Sequence, residues 1–171
     1  QLHKVGDNRP VRTRMTQRKG RVFGQVSTDI FGPIKVSRGY EYIISFVDMT
    51  TKFIELVPLK RIDSGTVSRV FLNKIVLRYG VPDILMSDNG PQYISSVLKN
   101  LAELLGTKQV FSAKYASWQN GLAERKFKTL KKLLRLTCAK SPNQWSERLP
   151  SIQFAMNKSY NRSIQCSSLE M

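Results

Sequence analysis

Residues 22–59 read VFGQVSTDIFGPIKVSRGYEYIISFVDMTTKFIELVPL and contain three runs rich in β-branched and aromatic side chains. The first run, Val22–Ile30, is closed by a Gly-Pro pair, which commonly breaks a strand. Tyr40–Val47 and Lys52–Leu59 follow after short turns. Because three such runs succeed one another with only short connections, we predict an antiparallel meander of three strands.

Helical spacing of apolar residues replaces this pattern after the third strand. Asp63 or Ser64 is suited to cap the first helix, and Gly80 to end it. Three strands followed by helices that alternate with two short strands predict an α/β fold with a mixed sheet of five strands flanked by helices. The predicted helices are Ser64–Tyr79, Ser95–Leu105, Leu122–Cys138 and Trp145–Ser159, and the additional strands are Ile84–Met86 and Gln109–Ser112.

The charge of the chain points to a polyanionic partner. Its 171 residues include 28 Lys and Arg against 12 Asp and Glu, a net charge of +16. A chain of this length forms one domain with a substantial core, and such a charge favours nucleic acid over a merely soluble basic protein. We interpret residues 1–21 as a basic arm or linker and residues 22–171 as the folded domain.

Cysteine and histidine usage excludes two classes of protein. Cys138 and Cys166 are the only cysteines and are far apart in the sequence, so a disulfide scaffold is not expected. With His3 as the only histidine, the chain cannot build a His/Cys zinc site by itself. No apolar run approaches the roughly 18–20 residues of a membrane span, so we expect no membrane partner.

Three acids have neighbours that set them apart. Asp29 lies in Thr-Asp-Ile-Phe-Gly-Pro, Asp88 in Ser-Asp-Asn-Gly-Pro-Gln-Tyr and Glu124 in Gln-Asn-Gly-Leu-Ala-Glu-Arg-Lys, with 35 residues between Asp88 and Glu124. Two acids at strand ends and one near a helix start can converge into an oxygen-rich pocket for hard divalent cations such as Mg²⁺ or Mn²⁺.

Taken separately, each acid has a simpler interpretation. An aspartate after a strand is usually a turn or cap residue, and a glutamate in the first turn of a helix usually compensates the helix dipole. Asp48, which precedes a Met-Thr-Thr turn, is predicted to be such a turn residue. Only the combination of the three acids with their flanking residues favours a metal pocket.

These motifs resemble those of the catalytic core of retroviral and LTR-retrotransposon integrases, most closely the gypsy-type branch. The resemblance covers the chain from about residue 22 to its end, with the family's 35-residue interval between the second and third acids. Four motifs in the right order carry it, namely Thr28–Pro33, Tyr79–Tyr93, Tyr115–Arg125 and Trp145–Ser159.

The resemblance implies an RNase H-like fold and a metal-dependent polynucleotidyl transferase. Asp29, Asp88 and Glu124 would be the catalytic residues and the ligands of two Mg²⁺ or Mn²⁺ ions. The reactions would be the trimming of mobile-element DNA 3′ ends and their joining to target DNA, so double-stranded DNA is the expected partner. The family also implies a homo-oligomer, dimeric or higher, and a nuclear location with a cytoplasmic particle phase.

The chain departs from the family pattern at two places. Ser117 stands where a proline is usual, and Phe127 stands where a polar residue is common, but neither removes a metal ligand. The family's full-length enzymes also carry an N-terminal zinc domain and a C-terminal DNA-binding domain. We therefore expect a core fragment that begins after the zinc domain.

A row of cations follows the third acid. Lys128, Lys131 and Arg135 fall within about 40° of Glu124 on a helical wheel, so phosphates leading away from the metal pocket would meet them. The alternative is a solvated basic face with a Glu–Lys pair one turn apart. The neighbouring apolar stripe, which should face the core, consists of Phe127, Leu130 and Leu134.

Two further residues are predicted to bind DNA, Tyr115 and Asn120, although Tyr115 is equally suited to packing. Two other functions compete with integration. One is an RNase H-like nuclease that only hydrolyses, and the other is a domesticated descendant that binds DNA as a scaffold without catalysis.

Overall fold

A computed structural model describes residues 20–111 and 117–171, and for residues 117–124 it describes the helical backbone alone. One sheet has the strand order β3-β2-β1-β4-β5. Strands β1, β2 and β3 pair antiparallel, whereas β4 pairs parallel to both β1 and β5. The predicted meander and the mixed five-stranded sheet are therefore confirmed. The strands are β1 Gln25–Phe31, β2 Tyr42–Asp48, β3 Ile54–Leu59, β4 Ile84–Ser87 and β5 Lys108–Phe111.

Helices cover both faces of this sheet. The predicted first helix has a π-helical segment, Leu72–Val76, between two α-helical parts. Asp63 caps it by accepting the Thr66 N–H at 2.9 Å, and Gly80 ends it with a φ of 91°. The helices are α1 Ser64–Phe71, α2 Leu77–Tyr79, α3 Pro91–Ile94, α4 Ser96–Leu105, α5 Ser117–Cys138 and α6 Trp145–Lys158, with a 3₁₀ turn at Pro142–Gln144.

Alternating side chains of β2 divide the core into two halves. Ile44 and Phe46 are fully buried on the face covered by α1 and α4. Ile43 and Val47 are buried on the other face, against α5 and α6. Because β2 is buried on both faces, the meander is the centre of the domain and the helices pack against it from either side.

The outer edge of β3 is closed by side chains of α6. Asn157 is 2% exposed, accepts the Ile54 N–H at 2.8 Å and donates to the Ile54 carbonyl at 2.9 Å. One turn earlier, Gln153 accepts the Leu56 N–H at 2.7 Å. These bonds satisfy backbone groups that an open sheet edge would leave unpaired.

Several predicted boundaries were wrong. Strand β1 begins at Gln25 because the chain first makes a turn in which the Gly24 N–H binds the Arg21 carbonyl. Helix α5 begins at Ser117, five residues before the predicted Leu122. The helix α3 and a hairpin of Tyr160–Asn161 (β6) with Cys166–Ser167 (β7) were not predicted, since both are too short to show a hydrophobic period.

The proposed division at residue 21 stays a prediction, because residues 1–19 lie outside the described part of the chain. Both cysteines are free thiols. None of the described helices combines the length and apolar character that crossing a membrane requires.

Candidate active site

Two of the three predicted acids, Asp29 and Asp88, lie side by side near the C-terminal ends of the neighbouring strands β1 and β4, which we call the acidic edge. The parallel register of β1 and β4 pairs Ser27 with Met86. Two residues further along each strand, the same register brings Asp29 level with Asp88. Neighbouring strands are about 4.7–4.9 Å apart, so the two carboxylates emerge next to each other. This juxtaposition requires the pairing of segments that lie 59 residues apart in sequence (88 − 29).

The Asp29 carboxyl group is half-buried and held by the backbone. Its Oδ1 accepts the Ile30 N–H at 2.8 Å. Burial, and to a smaller extent the negative charge of Asp88, raise the pKa of Asp29 to about 6 against the opposing effect of the Ile30 hydrogen bond. Near neutral pH this carboxylate therefore carries a charge that the protein itself stabilises poorly.

Asp88 is exposed and forms part of a turn. Its Oδ1 accepts the Gly90 N–H at 3.0 Å, and its carbonyl accepts a hydrogen bond from the Ser87 hydroxyl at 2.9 Å. The Gln92 side chain folds back over Gly90 in this turn. One carboxyl oxygen of Asp88 is thus used to shape the turn.

A buried tyrosine lies beneath this pair of acids, and the sequence did not single it out. Tyr93 is 0% exposed, and its hydroxyl lies 3.3 Å from the Thr28 hydroxyl. Burial raises the pKa of Tyr93 far above its ordinary value, and the charges of Asp29 and Asp88 add to the rise. The phenol therefore stays neutral. Its position in the Asp88 motif was the available signal, but only the fold showed which way the ring packs.

The third predicted acid, Glu124, lies in α5, whose backbone continues into the described core. Leu130 on this helix is fully buried, which attaches α5 to the sheet. The side chains of Glu124 and Asn120 and all of Tyr115 lie outside the described residues, so their predicted roles stay predictions. Among the side chains that are described, no three His, Cys, Asp or Glu residues form a metal-binding group.

The predicted basic row lies on the exposed side of α5. Lys128, Lys131 and Arg135 are all exposed. The Lys131 ammonium lies 5.1 Å from the centre of the Phe31 ring, and Phe31 ends the strand that carries Asp29. Lys131 therefore lies against the end of the strand that carries Asp29, whereas the predicted alignment of the row with Glu124 and its contact with DNA stay predictions. In the predicted apolar stripe, Leu130 is buried and Phe127 and Leu134 are half-buried against the same core.

Asp48 has the structural role that its sequence context predicted. It is 0% exposed and its carboxylate accepts the Thr51 N–H at 3.0 Å and the Thr51 hydroxyl at 2.7 Å. The Thr50 N–H lies 3.3 Å from its other oxygen. These bonds use Asp48 to close the turn between β2 and β3, so it is not part of the acidic edge.

Comparison with known proteins supports the family that the sequence motifs indicated. The family described as the integrase core domain matches residues 20–117. The chain is 33% identical to Gypsy retrotransposon integrase-like protein 1 of Bos taurus over 133 residues, which cover 77% of this chain and 26% of that protein. It is 34% identical to the Pol polyprotein of Radiation murine leukemia virus (strain Kaplan) over 113 residues, which cover 66% of this chain and 19% of that protein. The chain thus spans about a quarter or less of these relatives.

Solved structures show the same fold at low sequence identity. The catalytic core domain of BIV integrase superposes with a TM-score of 0.71 at 20% identity, covering 86% of this chain and 91% of that one. The dimeric HTLV-2 integrase catalytic core domain in complex with magnesium gives a TM-score of 0.70 at 19% identity, covering 89% and 97%. The fold is therefore the RNase H-like fold of retroviral integrase catalytic cores.

Proposed function

Because the chain belongs to the integrase core domain family, we propose that it is a divalent-metal-dependent polynucleotidyl transferase. In this proposal it trims the 3′ ends of mobile-element DNA and joins them to target DNA. The observation that carries the proposal is the pair of neighbouring acids, Asp29 and Asp88, on a protein with a net charge of +16.

The acidic edge fits divalent cations. Its donors are hard carboxylate oxygens, which Mg²⁺ and Mn²⁺ prefer. The raised pKa of Asp29 reflects burial and the charge of Asp88, and a cation between the two carboxylates would relieve both penalties. Asp29 and Asp88 would hold the metal together with Glu124 from α5. Bound divalent ions would activate the attacking oxygen and stabilise the leaving oxygen.

The residues of the chain have distinct tasks in this proposal. The Ile30 and Gly90 N–H groups orient the two aspartates, so the carboxylates need little rearrangement when the site assembles. Neutral Tyr93 supports the edge from below without adding charge. The row Lys128, Lys131 and Arg135 would hold the phosphates of the DNA end, so that the scissile phosphate stays at the acids. Water would attack in trimming and a DNA 3′-hydroxyl in joining.

Structural relatives support a proposal for the partner and the assembly state of this chain. The structural relatives include a simian T-cell lymphotropic virus intasome in complex with the PP2A regulatory subunit B56 gamma, and dimeric and trimeric forms of the HTLV-2 core. We propose double-stranded DNA as the partner of this chain, a homo-oligomer of at least two copies as its working state, and action on chromatin in the nucleus.

A DNA-binding scaffold without catalysis is the second candidate. The similarity to Gypsy retrotransposon integrase-like protein 1 is compatible with it, because that relative is named as integrase-like rather than as an integrase. The retention of Asp29, Asp88 and Glu124 favours catalysis instead, since a scaffold does not need three acids. An RNase H-like nuclease would share the metal pocket but would cleave without joining.

One incubation separates these candidates. A labelled mobile-element DNA end with a free 3′-hydroxyl is mixed with a plasmid, with and without Mg²⁺. A transferase yields plasmid carrying covalently attached label only with Mg²⁺, a nuclease yields shortened DNA alone, and a scaffold leaves both DNAs intact.

Metal binding is measured separately from activity. Mg²⁺ should raise the melting temperature of the wild-type protein, and Asp88→Asn should shrink that rise. An equal rise in both proteins would contradict the assignment of Asp88 as a ligand.

A further inference from the structure

A cavity lies between the end of β1, the second half of α5 and the start of α6. Its volume is about 520 Å³, within the range usual for small-ligand and cofactor sites. Its walls are largely apolar and include Phe31, Ile34, Leu134 and Trp145. Trp145 is 2% exposed, and its indole N–H donates to the Lys35 carbonyl at 2.6 Å, so this wall is held in place.

The cavity lies on the same face of the sheet as the Asp29 side chain. Successive side chains of a strand point to opposite faces, so Asp29 and Phe31 share one face. Phe31 packs in the half of the core that contacts α5 and α6, whereas the Thr28 hydroxyl meets Tyr93 on the other face. The Cα atoms of Asp29 and Phe31 are about 6.8 Å apart, at about 3.4 Å for each residue of a strand. The cavity therefore begins close to the acidic edge, on the side that α5 covers.

Three cations line the cavity, Lys35, Lys131 and Arg135, and no acid does. None of them forms an ion pair within the part of the chain that the structure describes. All three are exposed, which places their charges at the mouth of the cavity. Ammonium and guanidinium groups only donate hydrogen bonds. The mouth therefore favours a ligand that carries negative charge and acceptor oxygens.

An apolar interior behind a cationic mouth matches a single unpaired nucleotide. Its base is a flat ring that gains free energy against apolar and aromatic side chains, and its phosphate carries the negative charge. A free phosphate would use the cations but would leave the walls empty. A paired base cannot enter, because it is stacked inside the duplex and must leave the stack first.

The proposed trimming reaction supplies such a nucleotide at this place. Lys131 and Arg135 belong both to the lining of the cavity and to the row that would hold the DNA end. Removing nucleotides from a 3′ end leaves the 5′ end of the other strand unpaired.

We propose that the cavity binds an unpaired base of this 5′ overhang and prefers thymine to cytosine. The O4 atom of thymine accepts hydrogen bonds from the cations at the mouth, whereas cytosine presents an amino donor there. This inference rests on the proposed function, because it takes DNA as the partner and trimming as the source of the overhang.

The experiment measures binding, so that it does not depend on joining. A labelled duplex carries a 5′ overhang of thymidines, of cytidines or of abasic sites, all with the same number of phosphates. Fluorescence anisotropy in the presence of a chelator, which prevents cleavage, gives the three affinities. The wild type should bind the thymidine overhang at least about fivefold more tightly than the abasic one, as one stacked base allows, with the cytidine overhang between them.

Ala139→Leu separates the cavity from the charges around it. Ala139 is an exposed lining residue, so a larger apolar side chain fills the cavity while charge and core stay the same. This variant should bind the thymidine and abasic overhangs within about twofold of each other, because the base loses its place. Lys128→Ala is the matched control, since Lys128 belongs to the row but does not line the cavity. It should weaken both overhangs alike and keep their ratio.

Photocrosslinking locates the base directly. With 5-iodouracil in the overhang, the wild type should crosslink through peptides that contain Phe31 or Trp145, and the yield should fall in Ala139→Leu. Crosslinks confined to other peptides would overturn the site.

Failure of the cavity and failure of the proposed function give different results. Equal binding of thymidine and abasic overhangs by the wild type contradicts the cavity, as does a wild-type ratio in a folded Ala139→Leu protein. Equal binding of thymidine and cytidine overhangs contradicts the proposed preference. A thymidine preference in a protein that joins no DNA supports the cavity and counts against joining, while absent binding of every DNA contradicts both.

Discussion

Two acids of the sheet, Glu55 and Asp29, have different surroundings. Glu55 on the edge strand β3 is 5% exposed and is fully partnered. Arg78 forms an ion pair with it, the Tyr79 hydroxyl donates to it at 3.2 Å, and the Gln153 amide donates at 3.1 Å. Asp29 has another acid as its neighbour, and within the described part of the chain its carboxylate receives one hydrogen bond, from the Ile30 N–H.

The difference separates a structural acid from a functional one. The charge of Glu55 is compensated within the chain, by groups from α2 and α6, so it holds the first helix and α6 against β3. The charges of Asp29 and Asp88 have no such compensation among the described residues, so they are suited to a cation from solution. Breaking the Glu55 cluster should therefore lower stability and spare activity, whereas removing Asp29 should abolish activity and raise stability in the absence of metal.

The largest expected effect is on catalysis. Asp29→Asn, Asp88→Asn and Glu124→Gln should each reduce strand joining to background, because each removes an anionic ligand from the proposed metal site. Their circular dichroism spectra should match that of the wild type. Asp48→Asn is the control, since Asp48 closes a turn away from the acids, and it should keep most of the activity. Wild-type joining rates in Glu124→Gln would show that the third acid is wrongly assigned.

The second effect concerns the partnered acid. Arg78→Ala leaves Glu55 buried without its cation and should lower the free energy of unfolding by about 1–3 kcal/mol, at the low end of values for broken buried pairs because Arg78 is 48% exposed. Urea unfolding measures the change. Joining, normalised to folded protein, should be unaffected. A loss of activity without a loss of stability would contradict the structural role of this cluster.

The third effect is a gain of stability on removing an acid. The folded pKa of Asp29, about 6, lies above its ordinary value of 3.8, so its contribution to stability is full below about pH 4 and is lost as pH rises through 6. Because the side chain in Asp29→Asn cannot ionise, the variant does not lose this stability as the pH rises. Without metal at pH 7.5, the variant should be more stable than wild type by about 1–3 kcal/mol, with solvent access lowering the value.

The measurement is urea unfolding between pH 4 and 8 in the presence of a chelator. The difference between the two proteins should grow from near zero to its maximum across this range. Adding Mg²⁺ should reduce or reverse it, because only the wild type keeps both aspartates. A difference independent of pH would show that the substitution acts through packing rather than charge.

The smallest expected effect is on DNA affinity at the exposed row. Replacing Lys128 and Lys131 by Ala should weaken binding to all duplex sequences alike, and the slope of log affinity against log salt should flatten by nearly two units. The effect of Mg²⁺ on the melting temperature should persist, since the acids remain. An unchanged slope would show that these lysines do not contact phosphates and that this face of α5 is a solvated basic surface.

Local patterns were sufficient for much of the architecture. The aromatic and β-branched run Tyr40–Val47, the helical spacing in Ser64–Tyr79 and the helix end at Gly80 each depend on a few neighbouring residues, so the sequence predicted these elements closely. It did not predict the π-helical segment Leu72–Val76 or the four-residue helix α3. Such short departures follow from packing against neighbours and have no period of their own.

The same distinction between local and long-range information applies to the candidate site. The sequence by itself singled out the three acids with their interval, predicted the basic row of α5 and determined the turn role of Asp48, because these depend on neighbours in the chain or on helix geometry. Only the tertiary structure decided that Asp29 and Asp88 are neighbours, that Tyr93 lies beneath them and that Glu55 is compensated by Arg78. The reason is physical: strand pairing, burial and the pKa of a carboxyl group depend on residues dozens of positions away, and no local pattern encodes which distant segment will supply them.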